Sequence, residues 1–99
     1  MNQNAVTVAM MLWGYVESTA ASIDKLTPDD PTVYEMAGLG AVEACEAVRL
    51  LAIELYERWD KPDTVEWVDF LYVTLPDVAA IIVQDCILGM FPTIEAFDL

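Results

Sequence analysis

The sequence predicts an all-α protein, a compact bundle of four principal helices with a short turn near its C-terminal end. Three observations carry that reading. Apolar residues recur at three- and four-residue steps instead of alternating. Prolines and aspartates cluster at residues 27–31 and 60–63, which divides the chain into helix-length segments. Of the 99 residues, 57 % are hydrophobic, enough for one core without disulfide or metal staples. By length the chain reads as a single domain, 1–99.

The first helix is expected over residues 5–25, with Asn2 or Asn4 as its cap. Val8, Met11, Leu12, Tyr15, Thr19, Ser22 and Ile23 or Leu26 form its inward face, and Gly14 weakens its middle. Met10, Met11 and Trp13 make a bulky cluster that reads as core, or as a binding surface wherever it is exposed. Thr27-Pro28-Asp29-Asp30-Pro31 is a loop.

The longest helix is expected over residues 31–59. Asp30 is its N-cap, Pro31 takes the first helical position and Glu35 meets the positive end of the dipole. Ala41, Ala44, Cys45, Val48, Leu51, Ala52, Leu55 and Trp59 make one apolar stripe. Glu43, Glu46, Glu54 and Glu57 fall off it, with Glu54–Arg58 and Glu57–Lys61 in the favourable i,i+4 order. Gly38 and Gly40 mark a bend or a place where another helix approaches closely, and a break there would leave a short helix followed by one of about five turns. A phosphate-binding loop is excluded at these glycines, because no strand precedes them and no third glycine or Lys follows.

Asp63 then reads as an N-cap, with Glu66 completing a capping box. The third helix is expected over residues 64–73. Val65, Val68, Leu71 or Tyr72 and Leu75 face inward, and Glu66 and Asp69 face outward. Its β-branched content would suit a strand, but the spacing does not alternate. The chain restarts at Thr74-Leu75-Pro76. The fourth helix is apolar all round over residues 78–83, so it is expected to be covered on most sides. Gly89 weakens its end, Pro92 stops it near Phe91, and residues 93–97 form a last turn. No apolar run reaches eighteen residues, so no membrane-spanning helix is expected. No Lys or Arg precedes the first apolar run, so no signal peptide is expected either.

Charge is the outlying property. Seventeen acids stand against four bases and there is no histidine, a net charge of −13. Such a surface repels nucleic acid and anionic membranes and attracts basic proteins. Without histidine, Ser-His and Cys-His nucleophilic systems and the Glu-x-x-His di-iron motif are absent. Glu43-x-x-Glu46 and Glu54-x-x-Glu57 read as solvated helix faces, no calcium loop is present, and no cofactor or metal is expected. Cys45 and Cys86 read as small core hydrophobes, since a disulfide is unusual in a chain of this kind. A small helical bundle offers little cleft for a substrate, so the expected function is non-enzymatic. The acids gather in two clusters: Asp60, Asp63, Glu66 and Asp69 at the second loop, and Asp24, Asp29, Asp30 and Glu35 at the first. Of these, Asp60, Asp63, Glu66, Asp69, Asp29, Asp30 and Glu35 are the candidate partner-binding residues. Carboxylates at such corners can occupy the positions of DNA phosphates on a basic protein, while capping alone accounts for Asp30 and Asp63.

The apolar run from Ala5 to Val16 (AVTVAMMLWGYV) and the end from Phe91 to Leu99 (FPTIEAFDL) resemble the phage-encoded anti-CRISPR proteins that inhibit type I-F surveillance complexes. The resemblance covers the whole chain and carries no shared motif, so it transfers no functional residue by position. It implies inhibition by binding to the basic DNA-binding surface of Cas subunits in the bacterial cytoplasm, which excludes target DNA. Trp13, Trp59 or Trp67, where exposed, would anchor such a contact. An acidic immunity protein or antitoxin that blocks a basic nuclease or toxin fits the same charge. A structural subunit that self-associates through its Met- and Trp-rich first helix, as a homodimer for example, is the third reading.

Overall fold

The computed structural model describes residues 2–59 and 64–97. It is an all-α bundle, with no strand among the described residues. The helices are α1 (Gln3–Leu26), α2 (Val33–Met36), α3 (Ala41–Arg58), α4 (Thr64–Asp69) and α5 (Leu75–Ile87). A π-helical turn, Phe70–Thr74, joins α4 to α5, and a 3₁₀ turn, Ile94–Ala96, lies near the C-terminal end. Four of the helices are the principal ones, with α2 and the 3₁₀ turn as small pieces.

The stretch from Asp30 to Trp59 does not hold the longest helix: α1 has 24 residues and α3 has 18. Asn2 caps α1, its Oδ1 accepting the Asn4 N–H at 2.7 Å. Its inward stripe is Ala5, Val8, Ala9, Leu12, Val16 and Ala20. Thr19, Ser22 and Leu26, expected inside, are exposed. The stripe recurs at three- and four-residue steps, and α1 packs along both α3 and α5. It is the helix the other two share.

Asp30 does not cap a helix. Thr32 does, in a reciprocal box: its hydroxyl accepts the Glu35 N–H at 3.2 Å and the Glu35 carboxylate accepts the Thr32 N–H. Thr32 wins because its own hydroxyl lies three residues before a glutamate, a pairing Asp30 lacks. Asp24, in the last turns of α1, accepts the Val33 N–H at 2.9 Å and ties α2 to α1. The break at Gly38 is realised. Gly38 has φ +75°, its N–H bonds the Glu35 carbonyl, and the Leu39 N–H bonds that of Tyr34. That is a left-handed cap, which glycine adopts without a Cβ penalty. The chain restarts at Gly40, whose N–H donates to Glu43 at 3.1 Å. α3 then buries Ala44, Val48, Leu51, Ala52, Leu55 and Tyr56, while Ala41 is exposed and Cys45 half-buried.

The predicted restart at Pro76 is not a break. The backbone stays helical from Thr64 to Ile87. The π turn makes this continuity possible, with the Leu75 N–H reaching back to the Phe70 carbonyl. Pro76 thereby falls in the first turn of a new α-helical ladder, where its missing N–H costs least. The turn also adds one residue, about 100° of rotation. Without it, the inward set of α5 (Leu75, Val78, Ala79, Ile82, Val83, Cys86) would point about a quarter turn away from Trp67, Phe70 and Leu71. With it, both sets face α1.

The same phase shift explains two corrections. Val65 and Val68, expected inside, are 71 % and 47 % exposed, and Trp67 and Phe70 take the inward positions. α5 is covered on one side only, since Ala80 and Ile81 face solvent. The continuous helix Thr64–Ile87 is also long and apolar enough to cross a membrane by length and composition, with mean hydropathy 1.6. The sequence had divided it at Pro76. Within the fold, 44 % of that apolar window is buried. α5 ends earlier than expected, at Ile87, in a second left-handed cap at Gly89 (φ +97°).

Candidate functional site

Two surfaces are candidates, one acidic and one apolar. The acidic one is broad. Glu17, Asp29, Asp30, Glu35, Glu43, Glu46, Glu54, Glu57, Glu66, Asp69, Asp77 and Glu95 are all exposed. Among the described residues the one ion pair joins Arg49 to Glu46. The expected Glu54–Arg58 pair is absent, and Glu57–Lys61 lies partly outside the described residues. Exposed carboxylates at this density, in a chain with four basic side chains, surround the protein with negative potential.

The first-loop cluster divides in two. Glu35 and Asp24 are engaged with the backbone of Thr32 and Val33, so their carboxylates hold α2 in place. Asp29 and Asp30 stand exposed in the turn. In the second cluster, Asp60 and Asp63 lie outside the described residues. Glu66 and Asp69 are exposed on α4, adjacent on its outward side as expected.

The tryptophans are not free anchors. Trp13 stacks on Tyr34 with ring centroids 5.8 Å apart. Trp59 stacks on Phe70 at 4.5 Å and on Trp67 at 5.5 Å, and Tyr56 meets Trp67 edge-on. This stack seals the open end of α3 against α4, and all three tryptophans are half-buried. Tyr15 donates to the Leu71 carbonyl at 3.0 Å, which fastens the π turn to α1.

The apolar surface is the outward face of α4 and α5, which the sequence reading missed. Val65, Val68, Tyr72 and Val73 lead into Ala80, Ile81, Gln84, Ile87 and Leu88, all exposed. Asp69 and Asp77 interrupt its first half. From Ala80 to Thr93 no exposed residue is charged, and Asp85 is half-buried at the flank. The signal was hidden because a strict 3.6-residue period puts these positions on two different faces. Two smaller concavities accompany it. A groove of 420 Å³ runs between α3 and the C-terminal segment, lined by Leu50, Leu51, Glu54, Phe91 and Ile94. A 120 Å³ notch lies among Ala9, Met10, Trp13, Cys45 and Arg49.

Chemical groups are few. Among the described residues no three carboxylates or thiols gather to hold a metal ion. Both cysteines are free. Burial pushes the Cys86 thiol up, and Asp85 adds to the shift. Burial also pushes Tyr34 up to about 12, with the Glu17 and Asp24 carboxylates adding to it. Its hydroxyl has no hydrogen-bond partner.

No protein-family model matches this chain, and neither a curated protein nor a solved structure matches it.

Proposed function

We propose that this chain is a non-enzymatic binding protein whose acidic surface docks onto the basic face of a nucleic-acid-binding protein and keeps nucleic acid away. One observation carries the reading: exposed carboxylates on every principal helix, with a single ion pair among the described residues. A field of this kind raises association rates with basic partners and suppresses acidic ones. Asp29 and Asp30 on the first loop and Asp69 on α4 are exposed carboxylates for the contact, and Glu66 lies beside Asp69 on the same outward side. Following the resemblance of the sequence, the partner is a type I-F CRISPR surveillance complex in the cytoplasm of a bacterial host, and the blocked step is target-DNA binding.

The test is a co-elution with purified type I-F complex, followed by a target-DNA gel shift at two salt concentrations. Co-elution and loss of the shifted band, both weaker at higher salt, support the proposal. Glu66→Lys with Asp69→Lys should weaken binding while helical circular dichroism is unchanged. No co-elution at low salt rejects the type I-F partner. Binding that ignores both salt and the double reversal rejects the acidic contact.

A further inference from the structure

We infer that the outward face of α4 and α5 is a homodimer interface, in which two copies pack α5 antiparallel to α5 about a twofold axis between Ala80 and Ile81. Area gives the first argument. The exposed apolar side chains from Tyr72 to Leu88 present roughly 600 Å² together, about 1,200 Å² for two copies and the low end of a standard interface. Leu88 and Tyr72 are 78 % and 63 % exposed, so most of that area is open in a single copy.

Charge selects the occupant. The half of the face beyond Asp77 carries no exposed charge in a chain of net charge −13. A basic partner would find nothing there to pair with. A bilayer is disfavoured as well, because Asp69 and Asp77 lie on the face and would enter hydrocarbon. A second copy meets neither objection, provided the helices run antiparallel. Parallel pairing sets Asp69 on Asp69 and Asp77 on Asp77. Antiparallel pairing sets each Asp77 against the uncharged half of the other copy and leaves Asp69 beyond the end of the other copy's α5, open to solvent.

The register follows from size and polarity. Ala80 is the smallest exposed side chain on the face and belongs at the closest approach of the helices. Centring the axis there places Asp77 of one copy against Gln84 of the other, whose amide N–H groups can donate to the carboxylate. It also places Val73 against Leu88. The π turn is what brings Val65, Val68 and Tyr72 onto the same side as these residues.

Sedimentation equilibrium tests this at two salt concentrations. A dimer is expected whose affinity rises with salt, since both copies are strongly acidic. Leu88→Glu should weaken it at least about tenfold, because a carboxylate would be buried against apolar side chains. Gln84→Lys should tighten it several-fold by facing Asp77 of the other copy. Ser18→Lys, the same charge change on the exposed side of α1, should tighten it less. Four results overturn the inference: a monomer up to millimolar concentration, a Leu88→Glu dimer as tight as the parent, Gln84→Lys no tighter than Ser18→Lys, or a chain monomeric in water that floats with phosphatidylcholine vesicles. None of these depends on the identity of the basic partner.

Discussion

Gly14 and Gly38 accept the same substitution with opposite consequences. Gly14 lies in the middle of α1, exposed, and an added Cβ would meet nothing within 4 Å. Gly14→Ala should therefore stabilise by about 0.8–1 kcal/mol, the helix-interior difference between the two residues. Gly38 also has nothing within 4 Å of its Cβ position, so alanine there makes no clash. Its φ of +75° decides the sign. An L-residue in the left-handed region costs roughly 1–2 kcal/mol, and only about 0.4–1 kcal/mol returns through the less flexible unfolded chain. Gly38→Ala should lose about 1 kcal/mol. At about 4–8 °C per kcal/mol for a domain of this size, the two variants should differ in Tm by on the order of 10 °C, on either side of the parent. Thermal and urea unfolding by circular dichroism measure this directly. A Gly38→Ala variant at least as stable as the parent would refute the left-handed cap at the junction of α2 and α3.

Three further outcomes follow from the interior. Tyr34→Phe removes a buried hydroxyl without a partner and should stabilise by about 1 kcal/mol in urea melts at neutral pH. Tyr34 is raised from 10.0 to about 12, so the stability linked to it is intact below pH 10 and falls away between pH 10 and 12; the Phe variant should lose less over that range. Tyr15→Phe breaks the bond to the Leu71 carbonyl and should cost about 0.5–1.5 kcal/mol by the same melts. Iodoacetamide should label half-buried Cys45 first, with Cys86 reacting only through unfolding, as mass spectrometry of timed samples would show.

How much of this was legible in the sequence depends on which elements obey local rules. The helical class, a cap at Asn2 or Asn4, an irregularity at Gly38 and Gly40 and the outward acids of α3 all follow from spacing within a few residues. Thr32 was overlooked because Asp30-Pro31 is a stronger local signature, and the Thr32–Glu35 box sits only two residues further on. The inward face of α4 was misread because Val65 and Val68 fit a regular helical period. The residue count between Phe70 and Thr74 is what shifts that period, and nothing in residue type announces a π turn. The acids most legible as a site divide by their backbone partners, since Glu35 and Asp24 are engaged in capping while Asp29 and Asp30 stand exposed in the turn. The apolar face of α4 and α5 was invisible for the same reason as the π turn that aligns it.

The position of α1 between α3 and α5 has a consequence for the order of assembly. Each flanking helix finds its main partner in α1 and little in the other. α3 reaches α1 by closing the short connection through α2. α5 must close nearly twice as much chain, as the Tyr15–Leu71 bond across 56 positions illustrates. Doubling a loop adds only about 0.6 kcal/mol of closure entropy, so the second docking is slower without being forbidden. A nascent chain would thus hold α1 with one edge covered by α3 and the other bare until residues 75–87 arrive.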